Sequence, residues 1–189
     1  MKKLLFTLAM ACLSFTYVSA QEILQEIYKM SDEVANDPTK SLDVRKVAQF
    51  KKDAITYMNT RLLERITASP DSANYVALVT EEDNQAIALY NFVHLYVTKI
   101  GRASKTKERQ KVLALFKRVS LANPRFYDED KDLVLAYCKG DRYITQFSLD
   151  TDWVKALAEV RNELGLKSGS QGDAPQESPA SQESTPQEN

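Results

Sequence analysis

Cysteine is almost missing: the chain has two in 189 residues, Cys12 and Cys138. Cys12 falls in the leader described below. The exported chain then keeps one thiol and cannot staple itself internally, so its fold must come from packing. Glycine is scarce too, with five residues, three of them at 165, 169 and 172. A sheet-rich fold would need more turn glycines and alternating Val/Ile/Thr runs. Histidine occurs once, as His94. Sequence spacing sets no cysteine, serine or carboxylate beside it, so a base or nucleophile there has no partner. There is no glycine-rich phosphate loop, no His-Glu-x-x-His and no Gly-x-Ser-x-Gly. These absences predict no cofactor, no metal site and no enzyme; an activity assembled from distant Asp, Tyr and His94 is the alternative, since sites are geometric. No sign of charge dominates either. The leader takes two lysines and the tail one lysine and four acids, which leaves 22 of each sign in residues 21–166. A balanced domain offers no electrostatic case for nucleic acid or anionic lipid.

Met1 to Ala20 starts with Lys2 and Lys3, runs apolar from Leu4 and ends on Val18-Ser19-Ala20. This pattern predicts a bacterial-style signal peptide cleaved after Ala20, hence a periplasmic or extracellular protein. A lipoprotein signal with Cys12 acylated is the weaker alternative, because the chain stays apolar past Cys12 and Ala9-Met10-Ala11 lacks the usual leucine. A span needs ~20 apolar residues, so no transmembrane segment is expected after cleavage. From Ser168 the chain is Ser, Gln, Glu, Pro and similar residues, too poor in apolar surface to offset ordering. A disordered acidic tail over 167–189 is predicted.

Between leader and tail lies one domain, 21–166, organised around Thr80–Gly101. There Ala86, Leu89, Tyr90, Val93, Tyr96, Val97 and Ile100 recur at helical spacing. Ile87, Ala88, Phe92 and Leu95 fall off that stripe, so the helix needs neighbours on more than one side. Asn91, His94 and Thr98 form a narrow polar seam. Thr80 with Asp83 resembles a capping box, and Gly101 is positioned to close the helix in the left-handed region.

Other helices follow from the same periodicity. One covers Glu22–Ala35, with Ile23, Ile27, Met30 and Val34, and stops at Asn36-Asp37-Pro38. Ser41 caps a long second helix to about Ala68, with Lys51, Lys52 and Arg61 on its outer side; Pro70 follows its end. Asn74–Val79 reads as a short helical turn. A helix from Thr106, bearing Val112, Leu115, Phe116 and Val119, ends at Asn123-Pro124. Asp128-Glu129-Asp130 opens another, ending at Gly140. Asp150 or Thr151 caps the last, with Trp153, Leu157, Val160 and Leu164, closed by Gly165. The fold class is all-α: an antiparallel bundle of about six helices, with an irregular, docked segment near 141–150.

Phe126, Tyr127, Tyr137, Tyr143, Phe147 and Trp153 enrich the C-terminal half in rings. They either fill the core, as rings at helical spacing commonly do, or line a groove for a peptide or glycan. Tyr127, Tyr143, Phe147 and Trp153, with His94, are the candidate partner-binding residues. Asp128, Asp130 and Asp132 alternate like a calcium loop, but Leu133 and Lys139 stand where glycine and a bidentate glutamate belong; an acidic helix start is the better reading. Cys138 reads as a small buried hydrophobe. Asp71-Ser72-Ala73 fits a short O-glycosylation pattern of exported bacterial proteins, a three-residue match that chance often gives; the plain alternative is an Asx turn with Ser72 as the next N-cap.

Phe116 and Pro124, followed by Leu133 and Tyr137, resemble the junction between two tetratricopeptide repeats. The resemblance covers that junction alone. Pro38, Pro70 and Pro124 are 32 and 54 residues apart rather than the steady ~34 of that family, and its Trp, Gly and Ala are missing. It implies no function here. The expected role is non-catalytic binding of an envelope protein or glycan, with an immunity or inhibitor protein as one version. A structural envelope component is the alternative.

Overall fold

The computed structural model describes residues 23–68 and 72–166; the expected leader, the expected tail and Asp71 lie outside them. The described chain is an all-helical bundle: α1 (23–36), α2 (Leu42–Ala68), α3 (Ser72–Arg102), α4 (Thr106–Ala122), α5 (Lys131–Val134) and α6 (Trp153–Glu163), with a 3-10 turn at Ala136–Cys138. Among the described residues no helix is long and apolar enough to cross a membrane.

The central helix is longer than its sequence pattern suggests. α3 starts at Ser72 and absorbs the expected turn 74–79. No glycine or proline interrupts residues 72–100, so nothing obliges the chain to break. Thr80 sits mid-helix, and its hydroxyl donates back to the Val76 carbonyl at 2.9 Å. It caps nothing. Gly101 lies within the last turn of α3 rather than in the left-handed region, which Gly140 and Gly165 adopt with φ of 72° and 65°. Ser41 does cap α2: its Oγ accepts the Val44 amide at 3.4 Å.

α3 is buried along most of its length and packs against α2, α4 and α6. Ala86, Leu89, Val93, Tyr96 and Ile100 face the core, and so do the off-stripe Ala88 and Phe92. The centre is a nest of rings. Phe92 meets Phe116, Phe147 and Trp153 edge-on at 5.0, 5.3 and 5.4 Å, and Phe50 meets Tyr137, Phe147 and Trp153 at 5.0, 5.5 and 5.9 Å. Edge-to-face pairs at such separations add about 0.5–1.5 kcal/mol each beyond area burial.

Two local features explain how the C-terminal half closes. The helix expected over 128–140 shrinks to four residues because the Leu149 amide takes the Val134 carbonyl at 2.9 Å. The Cys138 amide turns to Leu135 at 2.9 Å instead, which tightens the chain into a 3-10 turn. The partner in that exchange is the irregular segment, and 145–152 is buried at every position. Buried backbone must find hydrogen bonds. Here the Ser148 amide donates to Ser120 Oγ at 2.9 Å, the Asp152 amide to the Asn123 carbonyl at 2.8 Å, and the Tyr96 hydroxyl to the Ile144 carbonyl at 2.6 Å. Since Asp150 and Thr151 are held inside, Asp152 caps α6 by accepting the Lys155 amide at 3.2 Å.

Candidate functional site

The five candidate residues fall in four places, not in one groove. Phe147 and Trp153 are 0% exposed and serve the core; neither can meet a partner while the bundle is closed. Tyr143 is half-buried against Tyr137, ring centres 4.3 Å apart. His94 is exposed on α3, stacked parallel to Tyr90 at 6.3 Å. Tyr127 is 75% exposed, the most exposed large apolar side chain among the described residues.

The exposure of Tyr127 is built from within. Asp150 lies 3% exposed beneath the 125–128 loop. Its carboxylate accepts the amides of Arg125 (3.1 Å) and Phe126 (2.8 Å) on Oδ1 and of Asp128 (3.0 Å) on Oδ2. Curling three amides around one carboxylate leaves Tyr127 with φ of 54°, the one non-glycine positive φ among the described residues. A left-handed residue with a side chain costs about 1 kcal/mol and recurs where function needs it.

The loop is clamped on both flanks. Arg125, 5% exposed, pairs with Glu81 at 3.0 Å and with the buried Glu82 at 2.8 Å. The Glu82 contact is an ion pair without hydrogen-bond alignment. Burial pushes the Glu82 carboxyl above its ordinary pKa, and Arg125 offsets part of that. Asp128 is held by Arg61, by the Tyr57 hydroxyl (3.0 Å) and by the Asp130 amide (2.9 Å). Burial alone would raise its pKa; these partners outweigh it and hold the pKa below the usual value. Arg61, expected on the outer side of α2, thus turns inward to this loop. Lys155 pairs with Asp152 at 2.8 Å, which raises its pKa; Tyr127 and Glu81 add to the effect from the same surface.

A second place is a cleft of about 240 Å³ between the first half of α2 and the second half of α3. Val34, Val44, Val47, Ala48, Val97, Ile100 and Ile144 line it with Asp43, Lys51, Tyr90 and His94. Lys51, expected on the outer side, is half-buried here, its ammonium 5.1 Å from the centre of the Tyr90 ring. Burial lowers its pKa.

The acidic triplet is spent on structure. Asp128 holds Arg61, Asp130 accepts the Leu133 amide at 2.9 Å to cap α5, and Asp132 pairs with Lys139. Among the described residues no group of three or more His, Cys, Asp or Glu is placed to hold a metal ion. Cys138 is half-buried, its thiol donating to the Gln146 carbonyl at 3.5 Å, and burial raises its pKa. Both features favour the thiol over the reactive thiolate.

Sequence reasoning missed Asp150, Glu82, Arg125 and Lys51. Asp150 could have been suspected only as a helix cap, which is the role Asp152 takes. No family model, no curated protein and no solved structure matches this chain.

Proposed function

We propose that this chain is an exported, non-catalytic helical domain that binds a protein partner of the cell envelope, in the manner of an immunity or inhibitor protein. The observation that supports this is Tyr127: a nearly naked aromatic ring on a strained, clamped loop. Tyrosine is enriched among residues that dominate interface energies, and a ring fixed in advance loses little entropy on binding. Lys155 and Glu81 beside it supply charges of both signs for a polar rim.

A photo-crosslinking amino acid placed at Tyr127 in cells exporting the protein should yield one discrete protein adduct, absent when the probe stands at Lys107 on the exposed face of α4. With that partner in hand, Tyr127→Ala should weaken binding at least tenfold, about 1.4 kcal/mol, with the melting temperature unchanged. Probe-independent smearing, or full affinity in the alanine variant, overturns the proposal. A saccharide adduct in place of a protein reassigns the surface to a glycan.

A further inference from the structure

The three central lysines of α2 have different fates. Lys46 donates to the Arg142 carbonyl at 3.1 Å, and Lys52 pairs with Asp32 at 2.8 Å. Lys51, beside Lys52, joins none of the ion pairs among the described residues; it has the face of Tyr90 and a wall of aliphatic side chains. An ammonium half out of water without a carboxylate is a cost that an arriving anion would remove.

The aliphatic side chains of the cleft favour an apolar ligand body. Val44, Val47, Val97 and Ile100 line it, and Val44 and Val97 remain well exposed. Asp43 stands on α2 eight residues before Lys51, about 12 Å along the helix at 1.5 Å per residue. A negative headgroup is repelled at the Asp43 end and attracted at the Lys51 end, so charge alone sets the orientation. His94, stacked on the same Tyr90, also lines the cleft.

We infer that the α2–α3 cleft binds a small amphiphilic monocarboxylate, with a medium-length acyl chain along Val44, Val47, Val97 and Ile100 and its carboxylate on the Lys51 ammonium. The site is separate from Tyr127, whose loop Arg125 ties to Glu81 near the start of α3, so either reading can fail without the other.

The test is calorimetric titration of the purified protein with decanoate, decanol and decyltrimethylammonium, each below its aggregation concentration. Decanoate should bind about tenfold more tightly than decanol, the worth of one charge-assisted contact, and the ammonium compound most weakly. Lys51→Met should erase the preference for decanoate over decanol while keeping decanol binding. Lys51→Arg should keep the preference. Equal binding of the three probes, no binding of decanoate, or a preference surviving in Lys51→Met overturns the inference. A peptide ending in Val-Ile with a free carboxylate that outcompetes decanoate overturns the acyl assignment in favour of a chain terminus.

Discussion

Asp150 fixes the backbone of Tyr127 from 23 positions downstream, by drawing the amides on both sides of it onto one buried carboxylate. Removing that carboxylate orphans three donors. Asp150→Ala should cost about 3 kcal/mol in urea unfolding and should loosen the 125–128 loop. Tyr127→Gly should instead gain up to about 1 kcal/mol, because glycine takes a φ of 54° without strain. A loss on Tyr127→Gly would show that the ring itself contributes packing.

Glu82 and Arg125 form a buried pair whose halves cannot be removed singly without loss. Arg125→Met leaves a carboxylate out of water and should destabilise by about 3 kcal/mol, whereas Glu82→Leu with Arg125→Met should lie close to the parent. Without Arg125, the Glu82 carboxyl is raised further by burial. The deficit of Arg125→Met should therefore be smaller at pH 5 than at pH 8, measured as the difference in urea midpoints.

Asp83 gives a pH dependence of definite sign. Burial alone pushes its carboxyl from 3.8 up to about 6. The folded state holds that proton more tightly than the unfolded state. The associated stability is fully present below pH 3.8 and is lost as pH rises through about 6. At pH 7.5 the charged form is a burden, and Asp83→Asn should raise stability by about 1 kcal/mol after solvent screening. Below pH 4 the gain should vanish. Comparing variant with parent cancels the opposite trend from Asp128 and Asp152, whose carboxyls are held below the usual value.

Phe147→Ala should cost about 3–5 kcal/mol, the range for an aromatic ring removed from a packed core, since Phe147 is wholly buried among Phe50, Phe92 and Tyr96. Tyr127→Ala should stay within about 0.5 kcal/mol of the parent, as an exposed position. Thermal denaturation of the pair distinguishes a ring of the core from a ring of the surface.

Much of the bundle was readable from periodicity. The α3 stripe, the stops at Asn36-Asp37-Pro38 and Asn123-Pro124 and the left-handed closure at Gly165 depend on neighbours in sequence. The errors share a cause. Thr80 looked like a cap because its side chain suits one, and only the unbroken helix on both sides denies it the role. Lys51 and Arg61 looked solvated because helical spacing places a residue on a face but does not say what covers it; α3 covers one and the 125–128 loop the other. Tyr127 and Phe147 are both rings in one aromatic-rich stretch. What separates them is the Asp150 carboxylate, a tertiary contact with no local signature.

The buried irregular segment 145–152 also governs the order of assembly. Its amides rely on Val134 of α5 and on Ser120 and Asn123 at the end of α4, groups brought to it by two other parts of the chain. Such pairings carry the entropy of closing long loops and mature late along the folding coordinate. Substitutions there, Ser148→Ala among them, should quicken unfolding while leaving the refolding arm of a chevron nearly unchanged. The lifetime of the native bundle would then be set by how rarely that inner thread works loose.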